Sequence, residues 1–535
     1  MAHTISSQCI NCGDCTPQCP TNAIKVDDGE LWIDPLLCND CAGYADSPQC
    51  VIACPVNRPP LPLHPKKGRY KTTLRIPTSP DLFANGKNNS FASAIAIWEA
   101  CNVLAQRQSL PWSTDAEGKL YYERQVNGGR GTIVFRLTHG LNSETPRPLE
   151  KKAALAALAK FDIRAASLHL AYAAHATALE QPWEQEFILS DQQIASYLGL
   201  EKRKDMSKLA KLNLIKELAQ QPCKLQLDIN WAKQGGVQEF TLTQSRLWHL
   251  LEIKHHFQED DLGCKHLAGL TFKVRAGTWA KYFLNQRGAK ENTAFYQYSS
   301  LPKSILSTVT TLWQQHEGAC RLLLWLLFKT KMGQEQRLTI LTLMRIAYGE
   351  AKVLQAASQR EERKRLIRSF ESDLEVLNHY GLKPIFDPLS YPADIQPFWA
   401  RLVDIPDDPE AALEFWTSDS SNGLRLNEAA PRDKWNRLLQ ARLLAFDLPE
   451  GWQIPPTPPT KKNLPRSQRK ATNQQLLSLS GQQIVSARKS LQLSQRALAN
   501  HVSKSQSWVR DIENGRLQVG FKEQQILLRI LGRVL

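Results

Sequence analysis

No apolar run in this sequence approaches the ~20 residues that a membrane-spanning helix needs; the longest, Leu322 to Phe328, is far too short. No apolar stretch precedes Cys9, so no export signal is expected. The sequence also lacks a glycine-rich dinucleotide fingerprint, a phosphate-binding loop and a local nucleophile–base motif. These absences argue against nucleotide-dependent and acyl-transfer enzymes, and the chain is expected not to be an enzyme. Twelve cysteines without an export signal argue against a disulfide scaffold. They point to a metal site in a cytoplasmic protein.

At 535 residues the chain is too long for one core, and several domains are expected. The net charge of +15 makes a polyanionic partner plausible. Charge also separates along the chain. Residues 1–57 hold seven acids (Asp14, Asp27, Asp28, Glu30, Asp34, Asp40, Asp46) against one base, Lys25. Residues 478–535 hold nine Arg and Lys against three acids. Opposite signs at the two ends suggest modules with different partners.

The cysteines fall into two runs, Cys9-x2-Cys12-x2-Cys15-x3-Cys19-Pro20 and Cys38-x2-Cys41-x8-Cys50-x3-Cys54-Pro55. Each iron of a [4Fe–4S] cube takes one thiolate, and two-residue spacings let three sulphurs of one tight loop grip one face. In two-cluster ferredoxins the fourth cysteine of each run ligates the other cluster. The expected ligands are therefore Cys9, Cys12, Cys15 and Cys54 for one cluster, and Cys38, Cys41, Cys50 and Cys19 for the other. Pro20 and Pro55 would turn the chain after each long-range ligand, and Gly13 suits close backbone approach to the cube. Structural zinc also uses Cys-x2-Cys pairs, but rarely needs eight cysteines in two runs that each end Cys-x3-Cys-Pro. The eight-residue gap before Cys50 resembles the ferredoxin subgroup with an inserted loop beside the second cluster. His255-His256 with Cys264-x-His266 offers ligand types without a recognised spacing. Cys101, Cys223, Cys264 and Cys320 read as small buried residues.

A Pro-rich segment, 58–67, reads as a stiff linker. The middle, 68–450, is expected to be mostly helical, with a long Ala- and Leu-rich helix from Lys151 to Leu179 and a hairpin turn at Asn127-Gly128-Gly129. Two stretches, about 186–232 and 300–388, read as winged-helix-like units. Such units bind DNA in some replication initiators and serve as dimerisation scaffolds elsewhere. A second linker, 451–477, is rich in Pro, Lys and Arg, and a compact helical domain fills 478–535.

In that last domain Ile484, Ala487, Leu491 and Leu493 form the apolar face and exit of a first helix, with Arg488 and Lys489 expected outward. Ser494 caps a second helix over 495–502, and Ser505 caps a third from Gln506 to Glu513, ended by Asn514-Gly515. The pattern Leu-Ser-Gln-x-x-Leu-Ala followed by Ile-Glu-Asn-Gly resembles the helix-turn-helix of the Cro and phage-repressor family. The resemblance implies that the third helix enters the major groove. Ser505, Gln506, Ser507, Arg510 and Asp511 would then lie at base edges, and Gln495, Arg496 and Lys504 at phosphates. Trp508 reads as core packing first, with DNA contact as the alternative.

The expected fold is thus multidomain: an α+β ferredoxin-like two-cluster domain, a mostly α middle with winged-helix-like units, and an all-α helix-turn-helix domain. This order of modules resembles the CnfR/PatB-type activators of nitrogen-fixation genes in cyanobacteria. The resemblance implies an activator that works under low oxygen while its two [4Fe–4S] clusters survive. It would bind double-stranded promoter DNA as a homodimer, with RNA polymerase as a further candidate partner. A repair or replication factor with a structural cluster, or an electron-transfer protein with a DNA-binding tail, are the alternatives.

Overall fold

The structure is a computed structural model. It describes residues 3–5, 9–27, 30–34, 37–56, 61–62, 71–72, 77–84, 86, 88–140, 147–259, 265–329, 338–402, 431, 433–449, 481–502, 504–514, 516–517, 527 and 530–531. The chain divides into two compact units, Met1–Pro455 and Pro456–Leu535.

The first unit begins with a small cysteine-rich domain. Its strands Ile24–Asp27 and Glu30–Ile33 form an antiparallel hairpin, and a short helix spans Gln49–Ile52. Ile5, Ala23, Ile24, Leu31 and Ile33 pack with Cys15 and Cys50 into a core of few side chains. Strand His3–Thr4 pairs with Leu61–Pro62. That pairing corrects the linker reading of 58–67: its two described residues return to the start of the domain, and the others lie outside the described residues. The second linker, 451–477, lies wholly outside them.

The middle of the unit mixes helix and sheet, where a mostly helical region was expected. A five-stranded antiparallel sheet runs in the order Phe240–Arg246, Leu225–Trp231, Gly131–Leu137, Leu120–Val126, Ser113–Thr114. Alternation explains its central strand: Gly131, Ile133, Phe135 and Leu137 face the core while Thr132, Val134 and Arg136 are half-exposed. The turn expected at Asn127-Gly128-Gly129 joins two of its strands. All three residues sit at positive φ (52°, 63° and 84°), a run that favours Asn and Gly.

The long helix expected over 151–179 is two helices, Lys151–Ala159 and Arg164–Thr177. Asp162 explains the break. Its carboxylate accepts from the Arg164 backbone N–H at 2.9 Å and from the Arg164 guanidinium, satisfying a group that a continuous helix would bond internally. The second helix is buried along its whole length, and its many alanines allow neighbouring elements to close around it.

Residues 186–232 form strand Glu186–Ser190, helix Asp191–Tyr197 behind a Ser190/Gln193 capping box, Gly199 at φ 69°, helix Lys208–Gln220 and strand Leu225–Trp231. The two strands join different sheets. Leu225–Trp231 joins the five-stranded sheet, whereas Glu186–Ser190 pairs with the long hairpin Trp248–Glu259/Lys265–Ala276 in the order Glu186–Ser190, Lys265–Ala276, Trp248–Glu259, Lys71–Thr72. The second stretch repeats the scheme. Strands Leu338–Thr339, Arg442–Asp447 and Lys383–Phe386 form a sheet in that order, beside helices Ile340–Tyr348 and Arg360–His379. Its central strand lies far beyond residue 388, so 300–388 was drawn too short.

The second unit, by itself, holds helices Gly481–Ser490, Gln495–Val502 and Gln506–Glu513. Ile484, Ala487, Leu498, Ala499, Val502, Val509 and Ile512 share one core with Leu527 and Leu531. Gly481 is required by close approach: a Cβ there would lie 2.6 Å from the Ile512 carbonyl and 2.5 Å from that of Glu513.

Candidate iron–sulphur centre

The cysteine loops hold an unusual density of left-handed residues. Asn11, Gly13, Asp40, Cys41 and Gly43 all have positive φ, between 54° and 83°. This backbone turns amides towards sulphur. Asn11 N–H donates to Cys9 Sγ (3.4 Å), Ala23 to Cys19 (3.2 Å), His3 to Cys38 (3.4 Å) and Gln49 to Cys41 (3.4 Å). Such bonds stabilise thiolates and tune any cluster they carry. Gly13 serves through its φ of 81°; a Cβ there would meet no protein atom within 4 Å.

Cys15 and Cys50 each sit among several other cysteines. Burial raises the pKa of Cys15, and Cys9, Cys12 and Cys54 add to it by like-charge repulsion. Burial pushes the Cys50 thiol up to about 12, with Cys38, Cys41, Cys15 and Cys19 contributing in the same sense. Burial also acts on Cys19, but bonds with Thr21 and nearby backbone amides outweigh it and hold its pKa low. One cavity is walled by Cys19, Cys38, Cys41 and Cys50, with His3 and Thr21 beside them. All eight cysteines are free thiols. Four crowded thiolates repel one another, and a cationic iron–sulphur core would relieve that repulsion. The residues present therefore fit such a group.

The His255/His256 group is otherwise engaged. His256 Nε2 lies 2.6 Å from Thr271 Oγ1 and His255 Nε2 lies 3.1 Å from Lys216 Nζ. Cys264 lies outside the described residues. Cys101, Cys223 and Cys320 are buried, as expected.

In the C-terminal unit Ser505 Oγ accepts from Trp508 N–H at 3.2 Å and caps the third helix. Arg496, Lys504, Ser505, Gln506, Ser507 and Arg510 are exposed. Asp511 is half-buried, 3.9 Å from Arg510. Gln495 is half-buried and donates to Glu513 at 2.7 Å, so its amide already has a partner within the domain. Trp508 is half-buried against the core, with Lys504 Nζ 5.6 Å from its ring centroid. Arg488, expected outward, is buried. It donates to Glu513 at 2.6 and 3.2 Å and to the Leu493 carbonyl at 2.8 Å.

A loop whose amides point at cysteine sulphurs, and whose thiols gather together, defines an iron–sulphur domain. Comparison with known proteins gives the family. Residues 3–25 match the 4Fe-4S binding domain. Ferredoxin-1 of Chlorobaculum tepidum is 53% identical over 55 residues, which cover 89% of that protein and 10% of this chain. The ferredoxin-like protein in the nif region of Trichormus variabilis is 53% identical over 57 residues, 49% of its length and 10% of this chain. Through this domain the chain belongs to the ferredoxins. A crystal structure of the RctB domains 2-3 aligns with 52% of the chain at 12% identity and a TM-score of 0.26.

Proposed function

We propose that this protein is a DNA-binding transcription regulator whose response depends on two [4Fe–4S] clusters in its N-terminal domain. The observation that carries the reading is the joining of a ferredoxin domain to a helix, Gln506–Glu513, that is capped by Ser505 and exposes Gln506, Ser507 and Arg510. Gln can pair with adenine and Arg with guanine, and exposed Arg496 and Lys504 would position the domain on phosphates. The net charge of +15 favours a polyanion. The similarity to ferredoxin-like proteins of the nif region favours nitrogen-fixation genes as the target and activation under low oxygen as the outcome.

When bound, the clusters supply one-electron chemistry and a link between folding and oxidant. The chain's own residues do the rest. The eight cysteines hold them, and the amides of His3, Asn11, Ala23 and Gln49 stabilise their sulphurs. So small a core leaves the domain dependent on its metal. Residues 186–276 and 338–447 we read as winged-helix units, from the strand order in which the first strand pairs with the last. We place the protein in the cytoplasm as a homodimer, with RNA polymerase as a further candidate partner; among the described residues no helix is long and apolar enough to cross a membrane.

The test is promoter binding by protein purified without oxygen, followed together with cluster absorbance as air is admitted. Affinity that falls as the absorbance bleaches supports the reading. Specific binding that persists unchanged through cluster loss overturns control at the DNA-binding step. A second reading, electron transfer with a DNA-binding tail, is favoured by the similarity to small ferredoxins; it requires rapid reduction of the clusters by a redox partner and no dependence of DNA affinity on their state.

A further inference from the structure

Between helices Glu317–Lys329, Glu350–Ser358 and Arg360–His379 lies an open cavity of about 560 Å³. Its walls are unusually rich in charge. Arg107, Arg321, Lys352 and Arg368 contribute cations, and Glu317 and Asp373 contribute carboxylates.

Both acids are already engaged. Glu317 pairs with Arg107 and Arg321 at once. Asp373 accepts from the Tyr348 hydroxyl at 2.5 Å and lies 3.1 Å from His316 Nδ1. Four cations thus face two carboxylates, which leaves the wall with net positive charge. Arg321 is only 8% exposed, and its Nε is buried without a hydrogen-bond partner. Burial lowers the Arg321 pKa; Glu317 acts against that shift and Arg107 adds to it. Lys352 and Arg368 are exposed and make no ion pair among the described residues. Ser369 and Ser372 add hydroxyl donors.

The backbone is shaped to this arrangement. Arg107 is held at φ 52°, a costly conformation for a residue with a side chain. A Cβ on Gly318 would strike Asp373 Oδ2 at 2.1 Å, so only glycine lets that carboxylate reach its donors.

We infer that this cavity binds a small phosphate-type oxyanion, with Arg321 at its wall and Lys352 and Arg368 at its mouth. A doubly charged oxyanion restores neutrality beside Arg321 and accepts several charge-assisted hydrogen bonds at once. An isolated surface lysine or arginine offers neither.

The test is calorimetric titration of the full-length protein with inorganic phosphate and, separately, with glycerol phosphate, at constant ionic strength against a chloride control. Both probes are repeated on the Lys352→Ala/Arg368→Ala double variant. Both substitutions are at exposed positions, and unchanged circular dichroism and iron content verify the fold. The expected result is saturable binding of at least one probe, weakened about tenfold or more in the variant. Tighter binding of the ester assigns the site to a phosphorylated metabolite, and equal or tighter binding of inorganic phosphate assigns it to the free ion. No saturable binding at millimolar concentration, or equal affinity in the variant, overturns the inference. If neither probe binds while the variant loses affinity for DNA, the cavity mouth is a contact for backbone phosphates instead.

Discussion

The indole of Trp32 lies 5.0 Å from the imidazole of His255, centroid to centroid, and 5.6 Å from the ring of Phe257. Trp32 belongs to the iron–sulphur domain, whereas His255 and Phe257 belong to the long hairpin of the middle region. Strand alternation sends Leu31 and Ile33 into the small core and Trp32 to the opposite face, yet Trp32 is only 6% exposed because the hairpin covers it. His255 in turn meets Lys216 on helix Lys208–Gln220 at 3.1 Å. A change in the cysteine loops thus has a physical route to that helix.

Trp32→Ala is expected to lower the stability of the first unit by about 3 kcal/mol, as for other buried aromatic truncations. Cluster absorbance should be retained, because the substituted side chain lies outside the small core. Denaturant unfolding of the anaerobic protein checks this, and an unchanged midpoint would show that the contact carries no energy.

Arg488→Ala leaves the buried Glu513 carboxylate without its counter-ion, with only the Gln495 amide still donating to it. The expected cost is about 3–5 kcal/mol, enough to unfold most small helical domains. The double variant Arg488→Met/Glu513→Leu removes both charges and should recover most of the loss. Thermal unfolding followed by circular dichroism distinguishes this from a surface arginine, whose removal changes little.

Arg510→Ala is expected to weaken promoter binding by about 1–3 kcal/mol and to relax preference at one base position, whereas Arg496→Ala should weaken all DNA similarly and reduce the salt slope by about one. Competition binding at several salt concentrations separates the two. Equal effects on random and promoter DNA from Arg510→Ala would remove it from base recognition.

His169 should make stability depend on pH. Its Nε2 lies 3.0 Å from the Ile97 carbonyl, and its Nδ1 accepts from the Trp248 indole N–H at 2.9 Å. Only the neutral ring satisfies both, and burial lowers its pKa to about 4. As pH falls below about 6.5 the unfolded chain takes up the proton first, so stability is full above that value. It should fall by on the order of 3 kcal/mol between pH 6.5 and pH 4. Buried His175, also lowered to about 4, acts in the same direction. Denaturant midpoints across this range check the slope, which His169→Gln should reduce.

Iron analysis tests the number of clusters. The protein purified without oxygen should carry roughly eight irons per chain, and Cys54→Ser roughly four if one cluster is lost and the other kept. About four irons in the unaltered protein would mean a single cluster.

The ferredoxin domain was legible because its chemistry is local. Three cysteines at two-residue spacing sit in one loop, and the motif is doubled within 55 residues. The short helices of the last domain were legible because Ser494 and Ser505 stand at their starts and apolar residues three or four apart, Leu498 and Val502 in one and Val509 and Ile512 in the next, mark their buried faces. Arg488 was misread for the same local reason. From its own helix it is an ordinary outward arginine, and its partner Glu513 lies two helices away.

The sequence by itself therefore determined the metal-binding chemistry, the helix cap at Ser505 and the turn at Asn127-Gly128-Gly129. Each depends on residues within a few positions of one another. Only the tertiary structure decided which strands pair, because Glu186–Ser190 and Leu225–Trp231 are both apolar enough for either sheet. It alone buried Trp32 beneath a hairpin more than two hundred residues away. It also gathered Arg107, Arg321, Lys352 and Arg368 around one cavity. Charge and aromaticity mark such residues as capable of interaction, but distance in space selects their partners, and no spacing in the chain encodes it.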